Sequence, residues 1–165
     1  MKRFCFAIAL AAAALSISTA IAAPSSFFHD LTGIWSGSGH AYLANLGELS
    51  ANCQLSISGA ETQMAMEGSC EFLVFRQVLG LIVKDAGGNK YIGTYTGSKT
   101  GPAALEGALL DDRLVMNITW GGLVNGDRKA QMILERTGPN SFALTVLDIV
   151  EGKTRSTSSF AFKRQ

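Results

Sequence analysis

Few residues in this chain have the type and spacing to do chemistry. His40 alternates with Ser38 and Tyr42 on one face of an extended stretch, LTGIWSGSGHAYL, running from Leu31 to Leu43. A general base needs an acid or a nucleophile at hydrogen-bond distance, and spacing ties no acid to His40, so it reads as an exposed strand histidine. Gly37 and Gly39 raise the question of a phosphate-cradling loop. G-x-G-x-x-G would require a third glycine where Tyr42 stands, and no helix pattern follows to receive a phosphate. Asp111-Asp112, between two extended runs, has the composition of a tight hairpin turn. Asp148 is different. It shares a face with Leu144, Val146 and Val150 and is therefore expected to point inward, where a carboxylate needs a partner. Arg155 on the following run is the candidate for a structural ion pair, and ligand binding is the second role considered for Asp148.

Cys53 and Cys70 fall in two runs that must lie side by side. In ELSANCQLSIS, Leu49, Ala51, Cys53, Leu55 and Ile57 occupy one face. In QMAMEGSCEFLV, Met64, Met66, Gly68, Cys70, Phe72 and Val74 do the same. A hairpin centred between Glu61 and Thr62 sets Cys53 opposite Cys70, Ala51 opposite Phe72, Leu55 opposite Gly68 and Ile57 opposite Met66. Large then faces small at two of the last three pairs, and the cysteines reach disulfide distance. Closing a loop of this size stabilises by about 3 kcal/mol. No C-x-x-C occurs, and neither His29 nor His40 has ligand spacing to a cysteine. No catalytic set, no metal set and no cofactor motif is expected.

A disulfide implies an oxidising compartment, and the start of the chain agrees. Lys2 and Arg3 precede an alanine-rich apolar run that ends at Ala20-Ile21-Ala22, the pattern of an export signal and its cleavage site. An uncleaved anchor is the rival, since Phe4 to Ile21 nearly spans a bilayer. The weak hydrophobicity of alanine and the small residues at 20 and 22 favour cleavage, and no membrane span is expected after it. The expected organisation is a signal peptide over 1–22, a lead-in over 23–30 and one domain over 31–165, periplasmic or secreted. Without Lys2 and Arg3 the formal charge of +1 becomes −1. So balanced a chain has no field to gather nucleic acid or an anionic membrane surface.

The rest of the chain repeats one pattern, alternating apolar runs separated by turn residues. LVFRQVLGLIVKD, KYIGTYTG, ALEGALL, RLVMNITW, RKAQMILER, SFALTVLDIV and TRSTSSFAFKR are joined by AGGN, SKTGPA, DD, GGLVNGD, TGPN and EGK. With the opening run and the cysteine hairpin this makes about ten strands. An all-β fold is expected, an antiparallel meander of 8–10 strands closed into a small barrel. Trp35, Gly37, Gly39, Ala41 and Leu43 share a strand face, as suits a strand bending around a narrow barrel.

The opening residues carry a resemblance. Gly33, Ile34 and Trp35 resemble the Gly-x-Trp that opens the first strand of calycin-type barrels (lipocalins, fatty-acid-binding proteins and avidins). In those families the Trp plugs the barrel floor beside a basic residue of the last strand, a part that Lys163 or Arg164 would take here. Tyr91–Gly97 is similar to an avidin strand, but that family's biotin site needs several tryptophans and the mature chain has only Trp35 and Trp120. Gly33, Trp35, Ser36, Gly37, Gly39, Cys53, Cys70, Phe162 and Arg164 also resemble small exported proteins of alphaproteobacteria.

These patterns lead to the expectation of a non-enzymatic exported barrel that binds a small apolar ligand or serves the cell envelope through a protein partner. Trp35, Phe72, Met116, Trp120 and Asp148 are the candidate ligand residues, and Leu55, Met66, Ile118, Met132 and Phe142 complete the inward set. A core packed solid is the alternative for the same residues. Small bacterial protease inhibitors share the Gly-x-Trp start and the two-cysteine hairpin, so an interaction module is the second reading, with APSSFFHD as the blocking segment. A cavity favours the first reading, whereas a filled core with a projecting N-terminus favours the second. An outer-membrane barrel is the third, and Ser36, Gln54, Ser56, Glu71 and Lys129 would face lipid badly in it.

Overall fold

The computed structural model describes residues 26–43 and 46–165; the expected export signal lies outside them. Ten strands follow a single-turn helix, α1 (Phe27–Asp30): β1 (Gly33–Leu43), β2 (Gly47–Gly59), β3 (Gln63–Phe72), β4 (Arg76–Asp85), β5 (Tyr91–Thr96), β6 (Ala103–Leu110), β7 (Arg113–Val124), β8 (Asp127–Gly138), β9 (Ser141–Val150) and β10 (Lys153–Arg164). Each strand pairs antiparallel with the next, and β10 returns to β1, so the sheet closes as a ten-stranded meander barrel with no free edge. No helix among the described residues is long and apolar enough to cross a membrane.

Period-two alternation turns one face of every strand inward. β2 is the clearest case: Ala51, Cys53, Leu55 and Ile57 are buried while Asn52, Gln54, Ser56 and Ser58 between them are exposed. The β2–β3 register is the expected one, with Cys53 opposite Cys70, Leu55 opposite Gly68 and Ile57 opposite Met66. Cys53 and Cys70 form a disulfide across a Cα separation of 4.0 Å. Leu55 leans over Gly68, where a Cβ would sit 2.7 Å from its methyl carbon. Of the inward set, Trp35, Leu55, Met66, Met116, Ile118, Trp120, Met132 and Phe142 are buried in one core, and Phe72 is half-buried at its edge.

The closed end of the barrel is built around Trp35. Its ring is 1% exposed and meets Phe142 edge to face at 4.8 Å, and Phe142 stacks on Phe162 at 4.6 Å. Trp35 Nε1 donates to the Leu31 carbonyl at 2.8 Å. Of the two basic candidates, Arg164 is the partner: its guanidinium lies 4.3 Å from the Trp35 ring centroid and donates to the carbonyls of Thr32 and Asp30. Gly37 and Gly39 face Phe162 and Phe160 across the β1–β10 seam. A side chain on either glycine would overlap the phenyl ring opposite.

Three local features depart from simple alternation. The described end of the lead-in folds under the barrel as α1, with Phe27 and Phe28 in the core and Phe28 edge to face with Tyr91 at 5.6 Å. β3 stops at Phe72, so Val74 leaves the inward face: Phe72 N–H donates to the Phe75 carbonyl at 2.9 Å, and Leu73 and Val74 project from this turn. β7 continues past Trp120 to Val124 with an irregular register, although GGLVNGD has the composition of a turn. A side chain at Gly121 would overlap the Thr100 carbonyl of the β5–β6 connection, so glycine permits that close approach.

Candidate functional site

The core does not fill the barrel from end to end. Above the Trp35 plug lies a cavity of about 180 Å³ whose walls include Leu55, Met66, Leu81, Met132, Leu144 and Val146. It adjoins a mouth of about 400 Å³ formed by Phe72, Phe75, Lys99, Thr100, Leu123 and neighbouring residues. Tyr95, Trp120, Asn125 and Phe160 line both spaces, so they stand between the deep apolar room and the opening. The disulfide belongs to this wall through Cys70. At the rim, Leu46, Leu73, Val74 and Leu123 are exposed, Leu73 almost entirely at 98%. Phe72 stacks on Phe75 at 4.6 Å and forms one lip.

Asp148 brings a carboxylate into this apolar room. It is 3% exposed and lines the cavity. Its Oδ2 accepts a hydrogen bond from Asn125 Nδ2 at 2.8 Å, and its Oδ1 accepts one from the Ile149 amide at 2.7 Å. Asn125 occupies the left-handed region (φ 52°) in the turn joining β7 to β8, followed by Gly126 at φ 103°. This is the residue pair favoured in a two-residue hairpin. The turn aims the Asn125 amide back over the mouth. Arg155 sits opposite Asp148 in the β9–β10 register, yet its guanidinium reaches Glu151 at 3.8 Å instead. The expected Asp148–Arg155 pair is therefore not made.

Beside the carboxylate, Tyr95 and Trp120 meet edge to face at 6.3 Å. Burial raises the Tyr95 phenol above the ordinary tyrosine pKa. Trp120 Nε1 is buried with no hydrogen-bond partner among the described residues, which costs about 1–3 kcal/mol for a desolvated donor.

Of the five residues singled out for a ligand, the fold brings Trp120 and Asp148 together in the cavity and puts Phe72 at its mouth. Trp35 and Met116 lie in the filled part and do not line it. Tyr95 and Asn125 escaped sequence reasoning. Alternation with Tyr91 and Gly93 marks Tyr95 as inward, and Asn125-Gly126 is a hairpin signal, but neither pattern shows which inward residues border a void. His40 lines neither space; its Nε2 is 3.8 Å from Glu48 Oε2, with both side chains solvent-accessible.

Solved structures share this fold. Rv2717c from M. tuberculosis aligns with a TM-score of 0.61 at 9% identity, over 82% of this chain and 93% of its own. The S-type phycobiliprotein lyase CPES from Guillardia theta aligns with a TM-score of 0.60 at 14% identity, over 85% of this chain and 91% of its own. Identities this low show a shared fold, the closed antiparallel barrel, and nothing of the chemistry. No protein-family model and no curated protein matches the sequence.

Proposed function

We propose that the protein is an exported, non-catalytic barrel that holds a small apolar ligand above the Trp35 plug. One observation carries this reading: the apolar cavity of about 180 Å³ that opens through a wider mouth. An engineered apolar cavity of about 150 Å³ takes up benzene, so the space suits one ring or a short chain. Met66 and Met132 in its walls are adaptable lining. The apolar rim residues offer such a ligand a route in from a hydrophobic source. The export signal pattern and the Cys53–Cys70 bond fit an oxidising compartment.

The inhibitor-like reading has less support, because Phe27 and Phe28 are buried under the barrel instead of projecting from it. The outer-membrane reading has less again: the inward face is the apolar one and the outward face mixes Gln54, Ser56, Glu71 and Lys129, the reverse of a lipid-facing barrel.

Methionine-methyl NMR of the mature protein tests the proposal, with toluene as the probe. Met66 and Met132 line the cavity, whereas Met64 is fully buried beside Val83 towards the closed end. Saturable shifts are expected at Met66 and Met132 with Met64 unmoved. Methyl signals that all stay still, or all drift together without saturating, would refute a binding cavity.

A further inference from the structure

We propose that the ligand is a lipophilic organic cation, a protonated amine whose charge pairs with Asp148 while its apolar body fills the cavity. This inference rests on the ligand-binding reading above and adds the charge and chemical class of what is bound.

Asp148 carries it. A carboxylate has about four acceptor positions, and among the described residues only Asn125 and the Ile149 amide are hydrogen-bonded to this one. Among the described residues, no Lys, Arg or His forms an ion pair with it, although it is 97% removed from solvent. Buried charges in folded proteins are paired, because desolvating an isolated one is costly. The opposite charge is not furnished from within: Arg155, the residue in register, turns outward to Glu151. The remaining acceptor capacity borders a cavity that is otherwise apolar.

The rest of the wall suits a cation. Tyr95, Trp120 and Phe160 line the same space, and aromatic faces attract ammonium groups most strongly where water is excluded. A carboxylate ligand would meet Asp148 as a like charge in a poorly screened place. Lys99 at the mouth favours anions, but it is exposed, and salt screens such a charge far more than a buried one. The size of the cavity limits the body of the amine to about one ring with a short arm.

Three probes of matched shape separate the possibilities: 2-phenylethylamine, protonated at neutral pH as a lysine side chain is, uncharged 2-phenylethanol, and phenylacetate. Each is titrated into the mature protein while the Met66 and Met132 methyls are followed. The amine is expected to bind about tenfold more tightly than the alcohol, as a charge-assisted contact implies, with phenylacetate weakest. In Asp148→Asn the amine should fall to the level of the alcohol, while the alcohol and toluene bind as before. If toluene binds but the wild-type protein ranks the amine no higher than the alcohol, the cation is refuted and the apolar cavity stands. That ranking decides the matter even where Asp148→Asn does not fold. A preference for the amine that survives in folded Asp148→Asn overturns the role of Asp148. If neither toluene nor any of the three probes moves the two methyls, the binding reading falls and the cation with it.

Discussion

Trp35 and Arg164 together hold the closed end of the barrel. The indole is sealed on one side by Phe142 and on another by the Arg164 guanidinium, whose two terminal nitrogens donate to the carbonyls of Thr32 and Asp30 in the chain leaving α1 and whose Nε donates to Asn140 Oδ1. Trp35→Ala removes one of the two tryptophans of the core, and the more deeply buried of them, and is expected to cost about 3–5 kcal/mol. Urea melts of wild type and variant measure this, and an unmoved midpoint would rule out the plug. Asp30 beside it makes a prediction about acid. The Ser26 hydroxyl donates to its carboxylate at 2.8 Å and the Arg136 guanidinium lies against it, and together these hold its pKa below the usual aspartate value despite the opposing effect of burial. A carboxyl group lowered in the folded state adds stability above its unfolded pKa, and that stability is lost as pH falls through the folded value. Asp30→Asn should therefore be less stable than wild type at pH 7 and show a flatter acid limb below about pH 4. Denaturation midpoints collected across pH would show whether the two curves converge in acid.

Among the elements, the β1–β10 seam and the β2–β3 hairpin use one device, a large inward side chain laid over a glycine on the neighbouring strand. Phe162 covers Gly37, Phe160 covers Gly39 and Leu55 covers Gly68. The seam joins the first and last strands and so closes the barrel. Gly39→Val would push against Phe160 and the backbone of β10, an overpacking that costs about 1–3 kcal/mol. The same change at Glu48, exposed on β2, should cost much less. Urea midpoints of the two variants provide the comparison, and equal losses would show that the glycine is there for some other reason. Much of this is legible in the sequence. Large-opposite-small pairing locates the disulfide register from residue identities alone, because the ladder between adjacent strands is a local relation. The ends of β3 and β7 are not legible. Val74 and the GGLV run continue or break a strand according to contacts with the turn at Phe75 and the β5–β6 connection, which alternation does not encode.

Taken whole, the barrel divides unequally between stability and vacancy. Its closed end is packed with aromatics and capped by α1, whereas the upper room is left open beneath Tyr95, Trp120 and Asn125. A cavity forfeits the dispersion contacts its walls would otherwise make, so filling it should stabilise the protein at the expense of binding. Val146→Phe places a ring in the void and is expected to raise stability by about 0.5–2 kcal/mol, as cavity-filling substitutions commonly do, while abolishing toluene binding. A variant that gains stability and still binds toluene would place the ligand elsewhere; one that loses stability would mean the room is too narrow for the ring.

Alternation, turn residues and the paired cysteines were enough to specify an all-β meander, the disulfide register, the inward course of Asp148 and the burial of Trp35. These are short-range relations, since a period of two assigns each residue its face and a hairpin sets its partner. The cavity is a different kind of quantity. It is the volume left when inward side chains from ten strands meet across the barrel, and it depends on how the closed sheet brings residues such as Met66, Met132 and Val146 around one space. The same applies to the partners of Asp148, because whether Arg155 or Asn125 reaches it depends on the β7–β8 turn folding back over the mouth. Packing across the barrel, and not spacing along a strand, separated the residues that fill the core from those that border the void.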